Sequence, residues 1–359
     1  MSPLLKGSSR KIRTVAVCGS QVPFRRGGAE EQVNSLVYQL RERGYEVERI
    51  NLPFKWYPLP QLFNSIRLWE MLDLTESDGQ KIDLVITTKF PSYFVRHPRK
   101  VVWLTHQYRQ AYDLLHTPYS GFDLQDPDEK KRWEEFVRRD TRALKEYRTI
   151  YTIARNTSRR LKKFNRLDSM PLYHPPRNHA AYHTSGYEPF ILCAGRIDSL
   201  KRVDLLIKGL SHTPPDITCK ITGTGPDLAA LKRLVKKRRL GKRVEFLGYV
   251  SDRDLVDLYS RCRLVFFAPY DEDYGYVTLE AFLSGKPVIT AFDSGGPLEF
   301  IREGQTGLIL NRLEERHIGR RIRELFTDIE LCRRLGEEGY RSIQDMQWDH
   351  VINTLLATG

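Results

Sequence analysis

The stretch Leu264–Phe292, LVFFAPYDEDYGYVTLEAFLSGKPVITAF, contains a strand, a loop, a helix and a second strand. The apolar run Leu264–Ala268 predicts the first strand, and Pro287–Ala291 predicts the second. Between them, an acidic loop with Gly275 leads into a helix that we expect to begin near Thr278. A strand–helix–strand unit of this kind indicates a parallel sheet that is covered by helices.

The same alternation continues on both sides of this stretch. Further strands are predicted at Thr14–Cys18, Val47–Ile50, Leu84–Thr87, Val101–Leu104, Ile150–Ala154, Phe190–Ala194, Thr218–Thr222, Val244–Leu247 and Leu308–Leu310. Amphipathic helices are predicted at Ala29–Arg43, Asp204–Leu210, Leu228–Lys237, Asp252–Arg261 and Leu331–Leu356. The Pro- and His-rich run 173–189 interrupts the series and is typical of an interdomain linker.

These patterns predict an α/β protein of two Rossmann-like doubly wound domains that face a central crevice. We expect an N-terminal domain over residues 1–180 and a C-terminal domain over residues 181–343. The last helix, about residues 344–359, is expected to pack back on the N-terminal domain. In such folds, ligands bind at the carboxyl ends of the strands.

Composition narrows the class of protein. The chain has 359 residues, of which 40% are hydrophobic and 29% charged, and this fits globular domains. The net charge of +13 predicts attraction to polyanions but does not choose among nucleic acid, anionic lipid and phosphorylated substrates. The five cysteines have no metal-binding spacing, which favours buried residues in a reducing compartment. With neither a secretion signal nor a membrane-spanning stretch, we expect a cytoplasmic protein and leave open attachment at the inner face of the membrane.

The most informative pair of candidate site residues is Glu272 and Glu280, with seven residues between them. Glu272 lies in the predicted loop, and Glu280 is expected in the first turn of the helix. The N-terminus of a helix offers N–H groups and a positive dipole end to a diphosphate, and Gly275 would let the backbone approach it. The two carboxylates suit the hydroxyls of a sugar and a ribose. The alternative is a solvated loop acid and an acid that complements the helix dipole.

Three further motifs lie at predicted strand ends. In Gly195-Arg-Ile-Asp-Ser-Leu-Lys201, Arg196 and Lys201 supply the two kinds of cation that suit a diphosphate, although the segment could be an ordinary basic loop. The pair Gly27-Gly28 opens the first long helix, where the alternative is a plain turn. His106 follows the strand Val101–Leu104 and could instead have a structural role.

Taken together, these motifs resemble the family 4 glycosyltransferases, retaining enzymes with the GT-B fold. The family signature is a Glu, seven residues and a second Glu around a glycine loop, and here Asp273 stands where Gly is commoner. Weaker matches are Gly223–Pro226, Phe246–Val250 and Ser294–Glu299. The resemblance extends from Gly27 to Glu299 and is weakest at residues 52–80 and 107–145, where acceptor binding usually varies.

The resemblance implies that residues 1–180 form the acceptor-side domain and residues 181–343 the nucleotide-sugar-binding domain. It also implies roles for individual residues. Glu272 would face the donor sugar, Glu280 the ribose, and the backbone amides of Tyr276 and Val277 the diphosphate. The residues implied in the reaction are Glu272, His106, Arg196 and Lys201. Those implied in donor binding are Glu280, Gly275, Tyr276, Val277, Thr278, Gly27 and Gly28.

The implied activity is transfer of a hexose-type sugar from a UDP- or GDP-linked donor to an unidentified hydroxyl, on a glycan, a lipid-linked acceptor or a small molecule. The anomeric configuration would be retained, and neither a metal nor another cofactor would be required. The triplet Asp271-Glu272-Asp273 leaves open a metal site like that of the other large glycosyltransferase fold.

Two other classes of function remain open. One is a sugar-nucleotide epimerase of related fold, and the other is a non-enzymatic basic protein that binds nucleic acid or an anionic surface. The basic segment 138–166 would carry such binding, but it has no recognised nucleic-acid motif. Its apolar residues fall near helical spacing, which favours the solvated face of a packed helix. We therefore expect no nucleic-acid partner.

Overall fold

The computed structural model describes residues 12–24 and 27–358 and divides the chain into two compact units. Unit 1 takes the described residues up to Ile153, then Thr157–Leu172 and the C-terminal residues from Trp348. Unit 2 takes Ala154–Asn156 and Tyr173–Gln347, so its main segment begins earlier than the domain boundary expected at residue 181. The prediction about a secretion signal rests mainly on residues 1–11, which lie outside the described residues.

Unit 1 is built on a six-stranded parallel sheet with the strand order β2-β1-β5-β6-β7-β8. Its strands and the small antiparallel pair β3–β4 are β1 (Thr14–Gln21), β2 (Glu46–Pro53), β3 (Glu76–Ser77), β4 (Gln80–Lys81), β5 (Leu84–Thr87), β6 (Lys100–Leu104), β7 (Ile150–Thr152) and β8 (Met170–Pro171). The helices are α1 (Gly28–Glu42), α2 (Pro60–Met71), α3 (Pro127–Lys145) and α4 (Arg155–Asn165).

Unit 2 has a second six-stranded parallel sheet, with the strand order β11-β10-β9-β12-β13-β14. Its strands are β9 (Phe190–Cys193), β10 (Thr218–Thr222), β11 (Val244–Gly248), β12 (Leu264–Phe266), β13 (Val288–Ala291) and β14 (Gly307–Leu310). The helices are α5 (Val203–Leu210), α6 (Leu228–Lys237), α7 (Asp252–Arg261), α8 (Tyr276–Leu283), α9 (Glu315–Thr327) and α10 (Ile329–Ser342).

The strand order of unit 2 runs outward in both directions from β9, so the order reverses between β9 and β12. In doubly wound sheets, the loops that leave the carboxyl ends of two such strands diverge and open a ligand-binding crevice. The loops in question are the one after β9, which begins at Ala194, and the one after β12, which begins at Phe267. The two loops contain Arg196, Lys201 and Glu272, three of the residues singled out from the sequence.

Helix α3 includes residues 138–145, the first part of the basic segment 138–166. The Asp126 side chain accepts hydrogen bonds from the amides of Asp128 and Glu129, which caps the helix at its start. Phe136 and Leu144 are buried in the core, and the positive charges of the helix lie on its other side. The interpretation of this helix as a packed element with a solvated charged face is confirmed.

The core of unit 1 also contains a buried carboxylic acid. Asp140 on α3 is fully buried and accepts hydrogen bonds from the hydroxyls of Tyr93 and Tyr112. Burial raises the pKa of Asp140 to about 6, although those hydrogen bonds act in the opposite direction. The group is therefore partly protonated near neutral pH.

The structure differs from the predicted elements mainly at helix ends. Helix α8 begins at Tyr276, two residues before Thr278, so Glu280 lies in the second turn and not in the first. The predicted helix Leu331–Leu356 is two helices, α10 and α11 (Trp348–Thr358), and the second belongs to unit 1. There the indole of Trp348 packs edge-on against Trp103 of β6.

The remaining predictions about composition concern cysteines and membrane spans. All five cysteines are buried and unpaired, as predicted. Within the described part of the chain, every helix is too short or too polar to cross a bilayer.

Candidate active site

The loop after β9 is held in place by the turn after β10. Ile197 donates a backbone hydrogen bond to the carbonyl oxygen of Thr224, at 2.9 Å. Gly223 has φ +99°, and a Cβ atom there would lie 2.0 Å from the Gly195 carbonyl oxygen. Only glycine lets the two loops approach so closely, which gives a physical reason for the Gly223-Thr-Gly225 motif.

Two cations of this loop are paired with carboxylates. Lys201 Nζ lies 2.5 Å from Glu272 Oε2, and both side chains are about four-fifths buried, with exposed fractions of 20% and 23%. The Arg196 Nε donates to Asp198 at 2.5 Å, and its side chain is 48% exposed. Both cations line a small recess with Thr222 at the ends of β9 and β10. The structure therefore brings together Arg196, Lys201 and Glu272.

Gly275 sets the direction in which α8 begins. It precedes the helix with φ +88° and ψ +60°, in the left-handed region that glycine adopts without strain. A Cβ atom at this position would lie 2.8 Å from Cγ of Pro297. No side chain caps the N-terminus of α8 among the described residues. Its first turn is therefore not closed by a side-chain acceptor, and amides there are placed to meet an anion.

The loop that carries Glu272 is pinned on two sides. The Glu272 amide donates to Ser294 O at 2.9 Å, and Gly296 donates to Glu272 O at 2.8 Å. The Asn156 side-chain amide donates to Asp271 Oδ1 at 2.8 Å and to Glu272 O at 3.0 Å. These bonds fix the backbone on both sides of the Glu272 carboxylate, so this carboxylate projects from a rigid support.

Glu280 and Thr278 lie on α8. Glu280 Oε2 accepts a hydrogen bond of 2.8 Å from the hydroxyl of Tyr259, which belongs to α7. Burial raises the pKa of Tyr259 well above its usual value, and the Glu280 charge adds to this, so Tyr259 stays a hydrogen-bond donor. Thr278 is fully buried, and its hydroxyl oxygen finds no partner among the described residues.

A buried histidine lies behind the first turn of α8. His174 is fully buried, and its ring stacks on Tyr274 with centroids 4.6 Å apart and planes inclined by 3°. The His174 amide donates to the Tyr274 hydroxyl at 2.9 Å, and that hydroxyl donates back to His174 O at 2.5 Å. His174 Nε2 and the Tyr276 hydroxyl share a hydrogen bond of 2.5 Å. Burial lowers the pKa of His174 to about 3, so the imidazole is neutral at physiological pH.

The other predicted residues lie in unit 1, at the carboxyl edge of its sheet. Gly27 precedes α1 with an extended backbone, Gly28 is the first residue of that helix, and both are exposed. Glu30 in the first turn pairs with Lys89, which follows β5, at 2.5 Å. His106 lies just beyond β6, and its Nδ1 is 2.6 Å from Gln107 O.

Unit 1 also contains a buried link between the start of α1 and the segment after β6. Gln32, a fully buried residue of α1, donates to Trp103 O at 3.1 Å and accepts a hydrogen bond from the hydroxyl of Thr105. Thr105 directly precedes His106. The link therefore ties the helix that Gly27 and Gly28 open to the position of the histidine.

Sequence reasoning missed several residues that shape the site. Arg202 has φ +48°, donates to Ala268 O and Pro269 O, and pairs with Asp293 at 2.6 Å, so it braces the loop after β12. Tyr259 and His174 lie far from the motifs along the chain, and His174 is within the predicted linker. Nothing in the local pattern distinguishes these residues, because their partners come from long-range packing.

The acidic triplet does not form a ligand set for a metal. Asp271 accepts from Asn156, and Glu272 pairs with Lys201. Over the residues that the structure describes, no group of three or more His, Cys, Asp or Glu side chains is arranged to hold a metal ion. The predicted absence of a required metal remains a prediction about the reaction.

Comparisons with solved structures identify the class of fold. Over most of the chain, the fold matches that of solved GT-B glycosyltransferases. Anabaena HepE in complex with UDP and glucose superposes with a TM-score of 0.71 at 17% identity, over 96% of this chain and 100% of that one. A sucrose-phosphate synthase of Thermosynechococcus elongatus superposes with a TM-score of 0.74 at 17% identity, over 97% of this chain and 100% of that one. The predicted GT-B fold, with two Rossmann-like domains, is confirmed.

The sequence comparisons concern about half of the chain. Residues 176–342 match the family model described as glycosyl transferases group 1. A D-inositol 3-phosphate glycosyltransferase of Nocardia farcinica is 30% identical over 179 residues, 47% of this chain and 40% of the relative. A mannosylfructose-phosphate synthase of Agrobacterium fabrum is 28% identical over 179 residues, which are 46% of this chain and 39% of the relative. The matched segment thus spans about 40% of these curated relatives, and over that segment the chain is similar to glycosyl transferases of group 1.

Proposed function

We propose that this protein transfers a hexose-type sugar from a nucleotide-diphosphate sugar to a hydroxyl acceptor, with retention of the anomeric configuration and without a metal. The observation that carries the proposal is the grouping of Lys201, Arg196 and Glu272 on two adjacent loops, one of which leads into the uncapped N-terminus of α8. Cations and amides suit a diphosphate, and the carboxylate suits sugar hydroxyls.

In the proposed reaction, the bond between the anomeric carbon and a diphosphate oxygen breaks while a bond to the acceptor oxygen forms on the same face. The acceptor proton passes to the departing phosphate. Negative charge grows on the leaving diphosphate, where Arg196, Lys201 and the first turn of α8 would stabilise it. Preorganised charges and dipoles of this kind commonly account for more of the rate enhancement of an enzyme than any other single effect.

We assign the remaining roles first to residues of unit 2 and then to residues of unit 1. In unit 2, Glu272 would hold the sugar, Glu280 the ribose, and the segment Gly275–Thr278 the diphosphate. In unit 1, we propose that Gly27 and Gly28 take part in donor binding and that His106 takes part in the reaction. The first relatives act, by their names, on an inositol phosphate or form a phosphorylated disaccharide, which supports a polyol or sugar acceptor.

The nucleotide of the donor is proposed to be UDP or GDP. HepE was solved with UDP and with UDP-glucose, which supports UDP as the first probe. In a thermal-shift screen of nucleoside diphosphates and their sugars, we expect one diphosphate to stabilise the wild type. Glu280→Ala or Arg196→Ala should abolish that shift. Absence of any shift with the wild type would contradict the proposal.

Product analysis separates the proposed enzyme from its rivals. Transfer that is unaffected by EDTA agrees with a metal-free reaction, whereas strong loss that Mn²⁺ restores would overturn it. An epimerase would convert the donor sugar without any acceptor, so incubation with the donor alone distinguishes the two activities.

We propose that the protein works in the cytoplasm. We also propose an anionic membrane surface as a partner, because of the basic stretch formed by α6 and the turn that follows it. Between Leu228 and Val244 there are eight Lys or Arg residues and no Asp or Glu. Six of the cations are exposed, and their side chains form no ion pair with a described residue: Lys232, Arg233, Lys236, Lys237, Arg239 and Lys242. By contrast, Arg333 and Arg341 on α10 pair with glutamates of the same helix.

Uncompensated cations of this kind gain about 1 kcal/mol each near an anionic bilayer. We expect the protein to float with vesicles that contain phosphatidylglycerol but not with pure phosphatidylcholine. Lys232→Gln with Lys236→Gln should weaken flotation, whereas Arg333→Gln with Arg341→Gln should not. Tighter binding to duplex DNA than to the anionic vesicles would favour the nucleic-acid alternative.

A further inference from the structure

His174 lies in the segment that the sequence identifies as a linker, yet its side chain is enclosed within unit 2. It contacts two residues of the loop and helix start that carry the proposed diphosphate site, Tyr274 and Tyr276. His174 stacks on Tyr274, exchanges two backbone hydrogen bonds with the Tyr274 hydroxyl, and shares a side-chain hydrogen bond and an edge-on ring contact with Tyr276. So many directed contacts on one buried residue fix its orientation.

Tyr276 is the first residue of α8 and directly follows Gly275. Its ring is held edge-on by both other rings, with centroids 5.4 Å from His174 and 5.2 Å from Tyr274. Glycine has the widest backbone freedom of any residue type, so Gly275 alone does not fix the start of the helix. The helix start needs a further anchor at the residue that follows Gly275. The hydrogen bond between the Tyr276 hydroxyl and His174 Nε2 supplies that anchor.

We propose that His174 is a positioning residue for donor binding, which holds the first turn of α8, through Tyr276, in the geometry that meets the diphosphate. The inference rests on the proposed function, since it assumes that the first turn binds a diphosphate. His174 itself is fully buried, so it acts through Tyr276 and not by contact with the donor. Its neutral imidazole suits the task, because a buried positive charge would need a compensating anion.

The test is a double-mutant cycle measured by calorimetric titration of UDP, or of GDP if the wild type does not bind UDP. Tyr276→Phe removes only the hydroxyl, and His174→Phe keeps an aromatic ring for stacking but removes Nε2. We expect each variant to raise the dissociation constant of the diphosphate about tenfold, the effect of about one hydrogen bond. The double variant should be no worse than either single one, because both changes break the same link.

Two measurements distinguish positioning from a general loss of stability. Tyr187→Phe is a matched control, since the Tyr187 hydroxyl donates to Gly285 O, at 2.9 Å, just beyond the other end of α8. This variant should lower the melting temperature as Tyr276→Phe does and leave the dissociation constant unchanged. His174→Gln, which can still hydrogen-bond the Tyr276 hydroxyl, should restore part of the affinity. For the bare nucleoside, without phosphates, all variants should bind as the wild type does.

The outcomes distinguish failure of the positioning role of His174 from failure of the proposed transferase function. If the wild type binds neither UDP nor GDP, the proposed function fails. If the wild type binds and His174→Phe and Tyr276→Phe bind within twofold of it, the positioning role is refuted while the proposed function stands. Additive losses in the double variant would also refute it, since they would mean that the two side chains act separately.

Discussion

Replacing Lys201 by Met tests the proposed site most directly, because it removes one positive charge and keeps a long apolar side chain. Lys201 Nζ lies 2.5 Å from Glu272 and is about four-fifths buried, so its charge is only partly screened by solvent. A hydrogen bond to a charged group contributes about 1.5–3 kcal/mol. Since about 1.36 kcal/mol corresponds to tenfold in rate, we expect kcat/KM for the donor to fall by about 100-fold.

The same substitution should also cost some stability. Glu272 is 23% exposed, so water partly replaces its lost partner, and we expect the unfolding free energy to fall by about 1–3 kcal/mol. The assay is steady-state release of the nucleoside diphosphate, together with urea unfolding of the same samples. A loss of activity of about 100-fold in a variant that is still folded without urea is the signature of a residue that acts on the substrate.

Lys208→Met serves as the matched control. Lys208 pairs with Asp204 on α5, at 2.7 Å, in the same unit, and about a third of each side chain is exposed. Its removal should change kcat/KM by less than about twofold, because exposed pairs contribute little. If Lys201→Met and Lys208→Met retained equal activity, the assignment of Lys201 to the leaving diphosphate would be wrong.

Three further predictions concern other parts of the structure. Gly275→Ala places a Cβ atom against Pro297 at a left-handed backbone position. Urea unfolding should therefore show a loss of about 1–2 kcal/mol in unfolding free energy. The affinity for UDP should fall at least about tenfold. Tyr259→Phe removes the donor to Glu280, and titration should show about fivefold weaker nucleotide binding; an unchanged affinity would count against the role of Glu280. The pKa of Asp140 is about 6 in the folded chain against 3.8 as the usual value, so about 2.5 kcal/mol of stability present at pH 4 is lost as the pH rises through 6. Asp140→Asn should lack this dependence, and parallel urea titrations of both proteins from pH 4 to 7 measure the difference.

Most of the architecture could be predicted from the sequence, because the apolar runs of buried strands and the glycines that end elements are local signals. Strands such as Leu84–Thr87 and Thr218–Thr222 were predicted with their observed limits. The start of α8 was placed two residues late, since Tyr276 and Val277 have no helix-start signal of their own. That start is set by Gly275 and by packing on Pro297, which no local pattern encodes.

The site was predictable to the extent that its residues follow strands. Lys201 and Glu272 were expected from two separate motifs, and the sheet order that brings β9 beside β12 places their side chains in contact. The supporting residues were not predictable. His174 was assigned to a linker because its neighbours are proline-rich, and only the folded chain shows that it is enclosed by aromatic rings.

The burial of all five cysteines has a practical consequence for work in solution. Burial raises the pKa of every one of these thiols, so the reactive thiolate is scarce in the native protein. A maleimide dye should therefore leave the native chain unlabelled and mark only a cysteine introduced on the surface. The native thiols would then react when the chain unfolds, and their labelling rate would report the opening of each sheet.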